Sequence, residues 1–177
     1  MYLRRLSIVV ITAFAIACAS ARSGSDGAGM ATAAIRNASG AELGVLRLES
    51  AAGGVRFTGQ LTGLAPGAHG LHVHTVGSCD APAFTSAGAH FNPRNTKHGL
   101  VNPEGPHAGD MPAIAADANG RATVQHTTAL IDLGSGANGL FDADGSAIIV
   151  HASSDDQRTD PSGNSGARIA CGVVERS

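Results

Sequence analysis

The sequence has no tryptophan and a single tyrosine, and aromatic residues make up 3% of its 177 residues. Any core must therefore rest on Val, Ile, Leu and Ala. A strong excess of charge of one sign is also missing. The 12 basic and 14 acidic residues leave a formal net charge of -2, which argues against a polyanion-binding surface and against nucleic acid as a partner. No apolar run reaches the roughly 20 residues of a membrane span. The longest, "LSIVVITAFAIA", falls short of it. A long helical periodicity is absent too. The length suits one domain with a real core rather than two.

What is present at the start reads as an export signal over residues 1–21. Arg4 and Arg5 precede the apolar run, and small residues follow it. Two cleavage points fit, after "AIA" before Cys18 and after "ACA" before Ser20. "AIAC" also resembles a lipobox, whose cysteine is lipidated, although Ala15 stands where leucine is usual. Removal and lipidation of Cys18 both stay open. Residues 22–30 read as a Gly- and Ser-rich tether, and residues 31–177 as the folded domain. The expected location is the periplasm or cell envelope, with a lipid anchor at Cys18 in the second case.

Cysteine is scarce: Cys18, Cys79 and Cys171. Setting Cys18 aside leaves two, and export carries them to an oxidising compartment. A Cys79–Cys171 disulfide is the natural inference, with two buried free thiols as the alternative. Closing a loop of roughly 90 residues would contribute about 4–5 kcal/mol through loop-closure entropy.

Glycine is abundant, at 24 residues, which suits tight turns between short strands. "ATAAIRNASGAELGVLRLES" reads as two strands around a turn. In "GVRFTGQLTGL", Val55, Phe57, Gly59 and Leu61 alternate with Arg56, Thr58, Gln60 and Thr62, as in a half-buried strand. "LHVHTV", the hairpin "AIAADANGRATVQHTT", "SAIIVHA" and "ARIACGVV" add further strands. About eight short strands favour an all-β fold, a Greek-key β-barrel or sandwich. Two long stretches, Gly77–Pro112 and Ser153–Ala167, lack strand patterning, and loops of this length in a small domain are usually functional or disordered; the histidines and Asp110 in the first suggest function.

Eight histidines carry the chemical signal. His72 and His74 are two apart on a strand, so their imidazoles share a face and can reach one ion. His90, His98, His107 and Asp110 follow as H-x7-H-x8-H-x2-D, three imidazoles and a carboxylate, a full tetrahedral set for zinc. His151 ends the apolar run "AIIV" and could join the first pair. His69, at odd spacing from His72, reads as structural support. His126, in a hairpin, reads as an exposed strand residue.

From about Thr32 to Val174 the chain resembles the copper/zinc superoxide dismutases. Five motifs carry the resemblance: "GAHGLHVH", "SAGAHFNPRNTKHG", "PHAGDMP", "VHASSDD" and "GNSGARIACGVV". The resemblance implies an eight-stranded Greek-key β-barrel with two long functional loops. It implies dismutation of superoxide to oxygen and hydrogen peroxide by ping-pong redox at copper. One copper per chain would be held by His72, His74, His90 and His151. One zinc would be held by His90, His98, His107 and Asp110, with His90 bridging the two ions. Asp155 would link His72 to His98, and Asp156 would be solvated. Arg168 would stand beside the open copper position to attract and orient superoxide. His90 would serve as a proton donor. The pairing of Cys79 with Cys171 matches the family's disulfide.

One departure concerns the loop "DDQRTDPSGNSGAR", which is shorter than in animal members and lacks their acidic pair and lysine. Arg158 and Lys97 are candidate substitutes for steering superoxide. The short loop and exported N-terminus look like bacterial members, among which monomers and homodimers both occur, so a homodimer stays open. A metal-storage module would need the ligands but neither Arg168 nor the bridge.

Overall fold

The structure, a computed structural model, describes residues 29–177. The export signal, Cys18 and the tether up to residue 28 lie outside the described residues. Among the described residues there is no α-helix. Ten strands run in chain order: β1 Met30–Asn37, β2 Glu42–Ala51, β3 Gly54–Leu61, β4 Gly67–His69, β5 Leu71–His74, β6 Ile114–Ala116, β7 Ala122–Thr128, β8 Ala147–His151, β9 Arg168–Val173 and β10 Glu175–Arg176.

Their pairing is antiparallel throughout. The main sheet runs β5-β8-β9-β1-β2-β3-β7, with β10 beside β1, and β4 pairs with β6 in a second, two-stranded sheet. Gly70 alone separates β4 from β5, so the two act as one interrupted strand, and β6 packs beside β7. The curled sheet is thereby bridged between its edges. Counting β4 and β5 together and setting the two-residue β10 aside, eight strands close the barrel in the expected Greek-key manner: the β3–β4 connection passes over β7 and β6, and the β7–β8 connection passes over β6 and β4. The expected "AIAADANGRATVQHTT" hairpin differs in detail. The chain does turn through Asp117–Arg121, but β6 takes its ladder partner from β4.

The alternation read from the sequence decides what faces inward. Val55, Phe57 and Leu61 are buried, as are Leu46 and Leu48 opposite them, while Arg56 and Gln60 are exposed. With Ile35, Leu71, Val73, Ile148 and Val150 they form the barrel core. His126 departs from its expected exposure. It shares the inward face with Ala122 and Val124, is half-buried, and burial lowers its pKa. Residues 124 and 126 are two apart, so one face is what strand geometry requires.

Outside the barrel wall the long loops cover β5, β8 and β9. Ile149, Ala147 and Cys171 point outward there and form a smaller apolar cluster with Phe84 and Ala87. Cys79 and Cys171 are bonded, with Cα atoms 5.6 Å apart. The 79–88 segment is thus pinned to β9 by one covalent bond and one apolar patch.

Candidate metal centre

Period 2 sends Leu71 and Val73 into the core and His72 and His74 outward, where the loops bury both rings completely. The loop that follows folds back along β5. Thr75 N donates to Ala89 O at 3.0 Å, Phe91 N to Val73 O at 2.8 Å, and Val73 N to Gly109 O at 2.9 Å. His90 thereby lies opposite His74, and Asp110 opposite His72. His151 enters from the end of β8.

The result is a buried set, His72, His74, His90 and His151, whose ligand atoms all lie within 4.8 Å of one another. Each ring nitrogen can be assigned. His74 Nδ1 faces Gly88 O at 3.0 Å and His151 Nδ1 faces Gly166 O at 3.1 Å. A carbonyl only accepts, so each Nδ1 carries the hydrogen and each Nε2 is left with a lone pair. His72 Nε2 faces Asp155 Oδ2 at 2.6 Å, which leaves the lone pair on Nδ1. Those three nitrogens and His90 Nε2 are buried with no hydrogen-bond partner. Buried polar atoms are rarely left so, because each forfeits its hydration without compensation. Four acceptors and no donor are a set that a soft or borderline cation completes.

His90 turns its other nitrogen to a second cluster. His90 Nδ1 and His98 Nδ1 each lie 3.0 Å from Asp110 Oδ1, His107 Nδ1 lies 3.3 Å from it, and His107 Nδ1 lies 3.4 Å from His90 Nδ1. Four atoms about 2.0–2.1 Å from one zinc ion stand about 3.3 Å apart when tetrahedral. The edges match. His72 also falls within 4.8 Å of His90, His98 and Asp110. Its Nε2 is committed to Asp155, and its Nδ1 belongs to the first set, so His107 completes the second. The donors therefore fit copper on one side and zinc on the other. A neutral imidazole has one lone pair, so serving both sides requires His90 to lose its N–H.

Asp155 joins the halves. Its Oδ2 takes His72 Nε2, and its Oδ1 takes His98 Nε2 at 2.9 Å and Gln157 N at 2.6 Å. The carboxylate fixes the far nitrogen of both rings. Gly163 makes room for it: φ is +63°, and a Cβ there would overlap Asp155 Oδ1. Asp156 is exposed and accepts hydrogen bonds from Arg158 N, Thr159 N, Thr159 Oγ1 and Asn164 Nδ2.

Arg168 reaches the first set from β9. A bulge between Val150 and His151 sets His151 opposite Arg168 and packs the half-buried Ile169 against the barrel core. The guanidinium donates to Phe84 O at 2.7 Å and to Gly88 O at 2.6 Å, so Arg168 and His74 share the Gly88 carbonyl. His69 is buried apart from the ligand atoms, its ring nitrogens facing His151 O at 2.7 Å and Ala65 O at 2.8 Å. Of the candidate steering residues, Lys97 pairs with Asp160 at 3.4 Å, and Arg158 is exposed.

Burial pushes His74 down to about 2, helped by repulsion from His90. Burial and then His72 push His151 to about 4, and burial pushes His90 to about 4 against the pull of Asp110. His98 moves the other way. Burial opposes its charge, but the hydrogen bonds to Asp110 and Asp155 win and raise it to about 9. Both carboxylates are held well below the usual range by their imidazole partners, against the opposing effect of burial.

From the directions of these shifts, the metal-free protein is expected to be most stable near neutrality. Between about pH 4 and pH 6.5 the unfolded chain binds protons at His74, His90 and His151 that the folded chain refuses, so stability falls as pH falls. The raised His98 contributes stability that is fully present below about pH 6.5 and lost as pH rises through about 9. A zinc ion held by His98 would take the place of that proton, so zinc loading should abolish the alkaline loss while leaving a fall at acid pH. Calorimetric Tm values of metal-free and zinc-loaded protein across this range check it. An equal alkaline fall in both forms would remove His98 from the account.

The chain is similar to known proteins in sequence and fold. A family model described as copper/zinc superoxide dismutase (SODC) matches residues 43–174. The Cu-Zn superoxide dismutase 1 of Aquifex aeolicus is 46% identical over 143 residues, spanning 80% of this chain and 85% of that protein. The Cu-Zn superoxide dismutase of Caulobacter vibrioides is 45% identical over 149 residues, spanning 82% of this chain and 85% of that protein. The crystal structure of a SOD-like protein from Bacillus subtilis superposes with a TM-score of 0.77 at 39% identity, covering 80% of this chain and 96% of that one. With the matching barrel and the two adjoining donor sets, the chain belongs to the copper/zinc superoxide dismutase family.

Proposed function

We propose that the protein dismutates superoxide to oxygen and hydrogen peroxide, with copper held by His72, His74, His90 and His151 and zinc by His90, His98, His107 and Asp110. The observation that carries this reading is the convergence of four buried, partnerless imidazole nitrogens beside a fixed guanidinium. When bound, copper supplies the one-electron couple for a ping-pong cycle between two superoxide ions, and zinc supplies fixed positive charge.

The chain's own residues do the rest. Arg168, held by two carbonyls, has its charge fixed in place to attract and orient a small anion. His90 Nε2 can hold one of the two protons that hydrogen peroxide requires. Asp155 keeps His72 and His98 in the tautomers that leave their inner nitrogens free. The Cys79–Cys171 bond and the N-terminal sequence favour action outside the cytoplasm, in the periplasm or cell envelope, against superoxide met there. Lipidation at Cys18 would anchor the domain; mass spectrometry of the exported protein distinguishes a lipidated from a cleaved N-terminus.

Metal analysis combined with a superoxide-decay assay tests the activity. One copper and one zinc per chain with rapid decay is the expected result; both metals without decay would indicate storage instead. Arg168→Ala should keep both metals and lower the rate by roughly tenfold or more, and the remaining rate should depend less on ionic strength. An unchanged rate would remove Arg168 from the mechanism.

A further inference from the structure

The segment from β8 to β9 sets Asp155 against two imidazoles and borders the loop that carries His98, His107 and Asp110. The geometry points to Gln157 as the positioning residue that locks these parts together on the zinc side. The inference rests on the metal-centre reading above and goes one step further, to what holds the centre in register.

Gln157 makes four hydrogen bonds to three separate stretches of chain. Its backbone N donates to Asp155 Oδ1 at 2.6 Å, and its backbone O accepts from Val101 N at 3.3 Å. Its side-chain Oε1 accepts from Leu100 N at 3.2 Å, and its Nε2 donates to Met111 O at 3.0 Å. Leu100 lies two residues beyond His98, and Met111 directly follows Asp110. One amide therefore grips the backbone beside two of the four zinc-side donors, and the same residue's N–H grips the carboxylate that orients His98. The amide supplies an acceptor for one end and a donor for the other, which a carboxylate or an alkyl side chain does not.

The backbone at this position is costly for such a side chain. Gln157 has φ of 58°, in the left-handed region that glycine and asparagine favour. A non-glycine residue stays there when its surroundings over-determine it, and such positions cluster at functional sites. Gly99 supplies part of the fit, because a Cβ at that position would overlap the Gln157 carbonyl oxygen. Glycine would relieve the backbone at 157 but give up both side-chain bonds. With glutamine in place, the two amide bonds stand against the backbone cost at this position.

Three variants separate these contributions. Gln157→Ala keeps the backbone bonds and removes both amide bonds. Gln157→Glu keeps the shape and the acceptor for Leu100 N but sets a carboxylate oxygen against the Met111 carbonyl. Gln157→Gly relaxes the backbone without the amide. The measurements are zinc release from the copper- and zinc-loaded protein into a chelator, the visible spectrum with cobalt in the zinc position, and amide exchange at Leu100 and Val101.

Zinc release should be roughly 10–100 times faster in all three variants, as for other groups that hold metal ligands in place. The cobalt spectrum should shift and copper retention should change far less. Gln157→Glu guards against simple misfolding of the smaller variants, since it preserves packing. A residue that merely braced the fold would lower Tm and leave the cobalt spectrum alone. Wild-type zinc uptake with unaltered release and spectrum in Gln157→Ala and Gln157→Glu would overturn this inference only. A wild-type chain that takes up no zinc would overturn the metal-centre reading and this inference with it.

Discussion

His90→Ala is expected to reduce superoxide dismutation to background and to weaken both metals at once. Among the described residues, no other has one ring nitrogen turned to each donor set, since His72 Nε2 is committed to Asp155. Its Nε2 is one of four converging acceptors, and its Nδ1 stands 3.0 Å from Asp110 Oδ1 and 3.4 Å from His107 Nδ1. Removing the ring leaves His72, His74 and His151 as a three-nitrogen site and leaves the zinc side short of one donor. Zinc should suffer more than copper. Its set is closed, and all four of its members lie in the long loop between β5 and β6, which has no strand of its own to order it, so lost binding energy is also lost loop order.

The useful control for that result is His69→Gln. His69 is as buried as the ligands, but both its nitrogens face carbonyl oxygens. Its replacement should lower stability and leave the copper-to-zinc ratio and the rate per copper unchanged. Metal analysis, superoxide decay and thermal unfolding on the two variants check the contrast. A His90→Ala protein that lost one metal and retained the other at wild-type affinity would show that the ring does not bridge.

Much of this was legible in the sequence because strand geometry is simple. The alternation around Phe57 found the core face of β3, and the spacing of His72 and His74 placed both rings on one side of β5. The order His90, His98, His107, Asp110 announced a zinc-like set before any folding was considered. Which nitrogens served which ion, however, came from the family resemblance and not from spacing.

The rest was not legible because it depends on the backbone. The carbonyls of Gly88 and Gly166 set the tautomers of His74 and His151, and main-chain oxygens leave no mark in a sequence. The bulge at Ile169 is another case. Strict alternation from the outward Cys171 would turn Ile169 out and Arg168 into the core. The bulge reverses that parity, and it brings Arg168 to Phe84 and Gly88. Gln157 was missed for the same reason. It looks like a polar loop residue until its four partners, drawn from three stretches of chain, are seen together.

The double replacement Cys79→Ser, Cys171→Ser should cost about 4–5 kcal/mol of stability, since the bond closes a loop with a sequence separation of 92. That is a large part of the stability of a typical domain and corresponds to a fall in Tm of about 10–20 °C. The bond has a second consequence. It pins the 79–88 segment to β9, and that segment supplies the two carbonyls that hold Arg168, one of which also fixes His74. The rate per bound copper should therefore fall even well below the unfolding temperature. Leu46→Ala separates the two effects. Leu46 is fully buried in β2, in the barrel core and not in the cluster around the disulfide, and its loss should cost about 2–5 kcal/mol. If stability alone mattered, the serine protein and Leu46→Ala would show the same rate per copper at a temperature where both are folded. The expected outcome is a deficit in the serine protein alone, because only there does the guanidinium lose the frame that aims it.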